Sequence, residues 1–295
     1  MLTFGIYPLP QAAPYAELAE RTRRAEAMGF DTAWLGDETP MAYSGSIHFE
    51  AWTALAALAR DTSTIRLGTL VTPALFRHPL LNAMAVSTLD HVSGGRAVLG
   101  LGAGGVPADL AGMGAGDTSP RELVERLDEQ LVQIDRLLRG ETVTQQGGHY
   151  PTRDARVERP LQRPRPPIVV AAQGPRAIGL AARHADVWNS LGGQPIEGER
   201  VSLDAALAVT RRQVELLDEA CAREGRIVVR SVLAFRPGAL TSVDAVADWI
   251  GRYRELGFTD FVLAWPGTSS GPTTLAVLER FASDVLPALR RGDGR

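Results

Sequence analysis

The chain has 295 residues, of which 45% are hydrophobic and 22% are charged, and its formal net charge is −3. This composition is that of an ordinary globular protein and does not favour binding to nucleic acid or to an anionic membrane. All 31 basic residues are arginine, because the sequence contains no lysine. The composition therefore excludes lysine Schiff-base chemistry, pyridoxal phosphate held on a lysine, and a Walker A phosphate loop.

The single cysteine and the five histidines do not support thiol or metal chemistry. Cys221 alone excludes an internal disulfide and a thiolate-cluster metal site, and its helical surroundings favour a bystander over a nucleophile. The histidines form no H-E-x-x-H motif and no pair spaced by four residues, and no serine lies in a G-x-S-x-G motif. We therefore expect neither a metal site nor a serine hydrolase.

The sequence lacks the marks of export and of membrane insertion. The N-terminal segment has no basic region, and no apolar run approaches about 18 residues, the length that a spanning helix needs. We expect a cytoplasmic protein with no nucleic-acid partner and no membrane partner.

Short apolar runs typical of strands alternate with longer helical segments along the chain. The predicted strands are Leu2–Tyr7, Thr32–Leu35, Ile65–Val71, Ala97–Leu101, Ile168–Ala172, Ala185–Asn189, Ile227–Phe235 and Phe258–Ala264. The predicted helices are Tyr15–Met28, Glu50–Ala59, Leu80–Leu89, Pro120–Arg139, Pro175–His184, Leu203–Glu224, Val243–Leu256 and Thr274–Leu289. Several strands are continuous hydrophobic runs, which is typical of parallel strands covered on both faces.

Eight strands, each followed by a helix, predict an α/β protein with a (β/α)8 TIM barrel as a single domain over residues 1–295. A doubly wound sheet shows the same alternation, but it usually has five or six strands and would leave two units unused. In addition, no G-x-G-x-x-G fingerprint follows the first strand.

A short insertion interrupts the alternation before the fifth strand, from Gly140 to Pro167. Its first part resembles a small hairpin with a Gly147-Gly148 turn, and its second part, rich in arginine and proline, is predicted to be extended. We expect the insertion near the barrel mouth or at an edge, either as a lid or as an irregular packing segment.

The carboxyl ends of the strands, where barrels carry their reactive groups, suggest a planar, largely apolar ligand with a phosphate. Gly174-Pro175-Arg176 opens a helix whose free N–H groups can hold a phosphate, with Arg176 and the Ser190 hydroxyl as possible assistants. Glycines after three of the strands would let the backbone approach a flat ring closely, although they could equally serve only tight turns.

Several segments resemble the bacterial luciferase-like monooxygenase superfamily, a group of (β/α)8 oxidoreductases that use FMN or the deazaflavin coenzyme F420. The matching segments are Thr32–Asp37, Ser63–Thr69, Arg77–Asp90, Ser93–Gly104, Val170–Arg176 and Ala182–Asp186. The resemblance implies that the cofactor binds at the C-terminal mouth of the barrel.

The run from Ala171 to Pro175 resembles the deazaflavin branch, in which an Ala-Ala-x-Gly-Pro turn holds the cofactor phosphate through backbone amides. FMN members more often carry Gly-Gly-x-Ser-Pro there, so the resemblance favours F420, with FMN as the alternative. It also implies a non-proline cis peptide bond at Leu70–Val71, behind the cofactor ring. The predicted cofactor-binding residues are Leu70, Val71, Thr72, Ala103, Gly104, Gln173, Gly174, Pro175, Arg176, Asn189 and Ser190.

The chain departs from its relatives at two positions that carry chemistry in them. Many relatives have Asp-His after the second strand, where this chain has Asp37-Glu38. Sugar-phosphate and alcohol dehydrogenases of the deazaflavin branch have a glutamate just after the strand-four Gly-x-Gly, where this chain has Gly105. They also use lysine to grip phosphate, so a sugar-phosphate substrate is not expected here.

These departures leave Glu38, Asp37 and His48 as the candidate catalytic residues. A carboxylic acid in an apolar mouth can donate a proton at neutral pH, and Glu38 is the first candidate for that role. An ion pair between Glu38 and a nearby arginine is an equally open interpretation.

We therefore expect an oxidoreductase that transfers hydride between F420 and a small organic substrate. One alternative is an FMN-dependent monooxygenase that receives reduced flavin from a separate reductase and activates oxygen. Another is a flavin-binding protein without catalysis. A homodimer is possible in each case.

Overall fold

The computed structural model describes residues 1–8, 13–39, 49–104, 106–196, 198–234, 240–266 and 274–292. In chain order, the first half contains β1 (Thr3–Tyr7), α1 (Tyr15–Ala27), β2 (Thr32–Leu35), α2 (Ala51–Asp61), β3 (Arg66–Thr69), β4 (Thr72–Pro73), α3 (Pro79–Ser93), β5 (Ala97–Gly102), α4 (Pro107–Gly112) and α5 (Pro120–Leu138). The second half contains β6 (Val143–Gln145), β7 (Thr152–Ala155), β8 (Ile168–Ala171), α6 (Pro175–His184), β9 (Val187–Ser190), α7 (Leu203–Glu224), β10 (Val229–Leu233), α8 (Val243–Arg254), β11 (Asp260–Ala264), α9 (Leu275–Arg280), a π-helical turn (Phe281–Val285) and α10 (Leu286–Gly292).

The strands close into a parallel barrel, which confirms the predicted (β/α)8 fold. Around the barrel they follow the order β3-β2-β1-β11-β10-β9-β8-β5, and β5 pairs back with β3. The strand predicted over Ile65–Val71 ends at Thr69, and the two-residue β4 resumes the pairing with β5. Between them the Leu70–Val71 peptide bond is cis, as the resemblance implies.

Two clusters of buried hydrophobic residues stabilise the barrel. The larger core lies between the strands and the surrounding helices. A second cluster fills the barrel interior and includes Tyr7, Trp34, Leu70, Val98, Val169 and Val262. The close approach of β3 to β5 requires Gly100, because a Cβ there would lie 1.9 Å from the carbonyl oxygen of Thr69. The contact between Gly100 and Thr69 lies where β3 ends, just below the barrel mouth.

The insertion contains the predicted hairpin, with Gly147 and Gly148 at φ values of +78° and +76° between β6 and β7. It packs on the outside of α5, where the Glu129 carboxylate accepts the backbone N–H of His149 at 3.0 Å. The Tyr150 hydroxyl donates to the carbonyl of Ala74 at 2.6 Å and so braces the loop after β4. These contacts favour the interpretation of the insertion as a packing segment over its interpretation as a lid.

Two local features differ from the expectations drawn from the sequence. The six-residue α4 was not predicted, and the last helix is divided by the π-helical turn at Phe281–Val285. Cys221 is half-buried on α7, and burial raises the pKa of its thiol, in keeping with the bystander interpretation. Within the described ranges, no helix is both long enough and apolar enough to cross a membrane.

Candidate active site at the barrel mouth

A cavity of about 1210 Å³ opens at the carboxyl ends of the strands. Its size is that of a site for a large ligand, or for a cofactor together with a substrate. The predicted cofactor-binding residues that line it are Leu70, Val71, Ala103, Gly104, Gln173, Gly174, Pro175, Arg176 and Asn189. The structure thus brings nine of the eleven predicted residues to one cavity, although they come from distant parts of the sequence.

The first turn of α6 faces the cavity with uncapped backbone amides. Gly174 is the N-cap and forms no side-chain cap, and Pro175 occupies the first helical position. In the described part of the chain, the N–H groups of Gly174, Arg176 and Ala177 donate no hydrogen bond to another residue. Such N–H groups, reinforced by the helix dipole, make an anion site.

A buried glutamine from α7 connects the two loops beside this turn. Gln213 donates to the carbonyl oxygen of Gln173 at 3.1 Å and accepts from the Ser190 hydroxyl at 3.0 Å. The Ser190 hydroxyl also accepts the N–H of Gly192 at 3.1 Å and is fully buried. Ser190 therefore shapes the turn after β9 and does not line the cavity, in contrast to the expected contact with phosphate.

Asp37 lies below the cavity floor rather than in it. Its carboxylate accepts from the Thr72 hydroxyl at 2.8 Å and forms an ion pair with Arg77. Burial raises the pKa of Asp37, and the contacts with Arg77 and Thr72 oppose that shift. Asp37 and Thr72 are thus occupied in joining β2 to β4, and neither lines the cavity.

Glu38 points the opposite way, into the cavity, as successive residues of an extended segment do. It is half-buried and lies close to the hydroxyl of Tyr7, the last residue of β1. A Cβ placed on Gly36 would lie 2.0 Å from the Tyr7 hydroxyl and 3.0 Å from Glu38 Oε2. Gly36 therefore leaves the space that these two side chains occupy at the cavity.

His48 and Gly105 lie outside the described residues, so the predicted contribution of His48 stays a prediction. Tyr7, which lines the cavity, was not predicted, although its position at the end of a strand was a usable signal. Asp109 on α4 was not predicted either; its buried carboxylate accepts the N–H of Thr39 at 3.1 Å. This contact connects α4 to the loop after β2.

Comparisons with known proteins identify the family of the chain. The luciferase-like monooxygenase family model matches residues 2–226. The F420-dependent glucose-6-phosphate dehydrogenase of Intrasporangium calvum is 29% identical over 332 aligned positions, which cover 93% of this chain and 95% of the relative. The 5,10-methylenetetrahydromethanopterin reductase of Methanolobus tindarius is 32% identical over 185 positions, which cover 63% of this chain and about half (52%) of the relative.

A solved structure extends the comparison to the fold. An F420-dependent secondary alcohol dehydrogenase, in complex with an F420–acetone adduct, matches with a TM-score of 0.82 at 17% identity. The match covers 98% of this chain and 99% of the other. At this identity the likeness concerns the barrel alone, whereas the family model spans most of the chain. The protein belongs to the luciferase-like monooxygenase family.

Proposed function

We propose that the protein transfers hydride between coenzyme F420 and a small organic substrate at the mouth of the barrel. The observation that carries the proposal is the uncapped first turn of α6, which presents the Ala-Ala-Gln-Gly-Pro run to the cavity. The F420-dependent relatives support the same choice of cofactor.

The residues present fit a flat ring that carries a phosphate. Leu70 and Val71 form an apolar bed at the end of β3, and Ala103 and Gly104 add little bulk beside it. Gly102 must lack a side chain, because a Cβ there would lie 2.7 Å from Val71 Cγ2. The amides of α6 would hold the phosphate, with Gln213 positioning the adjoining loops.

The bound deazaflavin supplies or accepts the hydride, and the protein must manage the accompanying proton. In the reductive direction, hydride forms a C–H bond at a substrate carbonyl carbon, and a proton forms the O–H bond at its oxygen. Glu38, next to the Tyr7 hydroxyl, is the acid that we assign to this step. In the oxidative direction, the same carboxylate would take the proton from the alcohol.

A direct test compares the affinities of the two cofactors. Trp34 lies in the barrel interior in the same cluster as Leu70, so its fluorescence should report on a ring bound above that bed. We expect F420 to quench it at concentrations at least about tenfold below those of FMN, a difference of about 1.4 kcal/mol. Trp34→Phe should reduce the quenching. Tighter binding of FMN would favour the monooxygenase with a partner reductase instead.

We also infer a homodimer, formed through the outer face of α3. This face exposes Leu81, Met84 and Val92, with exposed fractions of 52%, 49% and 36%. The carboxylate of Asp90 on the same helix is buried and accepts from Gln162. Such a patch on a globular protein is typical of an interface between copies.

Met84→Glu should therefore weaken the dimer while the barrel stays folded. A carboxylate buried at the interface without a partner should raise the dissociation constant by at least about a hundredfold. Size-exclusion chromatography with light scattering would measure this change. Val209→Glu, at a 48% exposed position on α7, is the matched control and should leave the dimer intact. A wild-type chain that is monomeric at micromolar concentration would refute the inference.

The location in the cell and the identity of partner proteins stay predictions from the sequence. We propose the cytoplasm as the location, and a flavin reductase as a partner only if FMN proves to be the cofactor.

A further inference from the structure

We propose that the substrate is an uncharged, largely apolar molecule whose body lies against a wall formed by the loop after β4, by α4 and by the start of α5. The inference rests on the proposed function, since it concerns the part of the same cavity that lies beyond the cofactor seat. The apolar side chains of this wall are Leu75, Phe76, Val106, Leu110, Leu123 and Val124. Ile196, after β9, lines the cavity as well and is 51% exposed.

The charged groups on this wall already form hydrogen bonds or an ion pair within the protein. Asp109 accepts from both the N–H and the hydroxyl of Thr39. Arg121 lines the cavity but forms an ion pair with Glu125 at 2.7 Å. A ligand that lies against this wall therefore meets a carboxylate and a guanidinium that already have hydrogen-bond partners in the protein, and its other contacts are mainly aliphatic.

Among the described residues of the cavity, a second phosphate would find no cation that is free of another contact or role. Among the described lining residues the cations are Arg121, which is paired, and Arg176, which adjoins the proposed seat of the cofactor phosphate. Burial of a phosphate dianion without a cationic partner is costly. A sugar phosphate, the substrate that names the Intrasporangium calvum relative, therefore does not match the described lining of this cavity.

The polar groups of the cavity indicate how such a substrate would be oriented. Glu38 and Tyr7 bring their side-chain oxygens together at Gly36, where a carbonyl or hydroxyl group could exchange a proton. The apolar wall belongs to other elements, β4, α4 and α5. A molecule with one oxygen function and a hydrocarbon body can place its oxygen near Glu38 and Tyr7 and its body against the apolar wall.

The test is binding of a homologous series, 2-butanone to 2-decanone, to the protein with and without F420. Affinity should rise about three- to fourfold for each added methylene until the wall is covered. Ile196→Asp should lower the affinity for 2-octanone by at least about fivefold, because it places a carboxylate on the apolar lining. Val209→Asp, at a similarly exposed position outside the cavity, should change it by less than about twofold.

The possible outcomes separate this inference from the proposed function. Affinity that does not rise with chain length, or an affinity for 2-octanone that is unchanged in Ile196→Asp, would overturn the apolar substrate. Glucose 6-phosphate that displaces 2-octanone would overturn it too. Failure of F420 to bind, with the methylene dependence intact, would instead count against the proposed cofactor and leave the apolar lining supported.

Discussion

Gly174→Val should abolish binding of F420 and leave the barrel folded. A Cβ at Gly174 meets no heavy atom within 4 Å, and its backbone, at φ −92° and ψ 157°, is one that any residue adopts. The two methyl groups of valine would instead cover the free amides of α6 and block the close approach of a phosphate. Fluorescence titration should show no saturable binding, and thermal unfolding should be close to that of the wild type.

Two further variants show whether the backbone amides carry the binding. Arg176→Ala removes a charged donor that lines the cavity, and should weaken binding by only about 1–3 kcal/mol. Gly179→Val, on the same helix but outside the cavity lining, also meets no heavy atom within 4 Å and is the matched control. Unchanged F420 affinity in Gly174→Val would show that the phosphate lies elsewhere.

Glu38→Gln should slow turnover by at least about tenfold while the affinity for F420 stays nearly constant. A positioned acid contributes about 10²–10⁴-fold in rate, and the amide keeps the size of the side chain without its acidic proton. Both kcat and kcat/KM should therefore decrease by similar factors. Parallel measurement of steady-state kinetics and of cofactor binding gives both quantities.

The neighbouring positions serve as comparisons for Glu38. Tyr7→Phe removes the hydroxyl beside the carboxylate and should shift the pH profile of kcat if the two groups share the proton. His48→Ala should have a smaller effect, mostly on substrate affinity. Full activity in Glu38→Gln would mean that solvent or the substrate supplies the proton, or that the chemistry is oxygen activation on FMN.

The sequence predicts the barrel and the cofactor seat because both depend on local patterns. Continuous apolar runs mark the strands, and the Ala-Ala-Gln-Gly-Pro run ends one strand and begins a helix. Because barrels carry their sites at the carboxyl ends of the strands, Gly104, Asn189 and Gly174 are expected at one cavity without knowledge of any contact, whereas Leu70 comes from the family resemblance. This part of the site follows from the topology of the chain.

Other parts of the site depend on contacts that no local pattern reveals. Gln213 lies among other polar residues on α7, and only packing shows that it is buried between two loops. Asp37 and Glu38 are neighbours of the same chemical type, yet ion pairing with Arg77 turns the first toward the protein. The six residues of α4 are too few to show helical periodicity, so the apolar wall was not predicted.

The most direct test of hydride transfer to or from F420 is turnover in the absence of oxygen. Purified protein would be mixed anaerobically with reduced F420 and 2-alkanones, and with oxidised F420 and the matching 2-alkanols, while the absorbance of the deazaflavin is recorded. We predict that its redox state changes in at least one direction, at a rate proportional to the protein added and lost in Gly174→Val. Turnover that appears only with reduced FMN and oxygen would contradict the account.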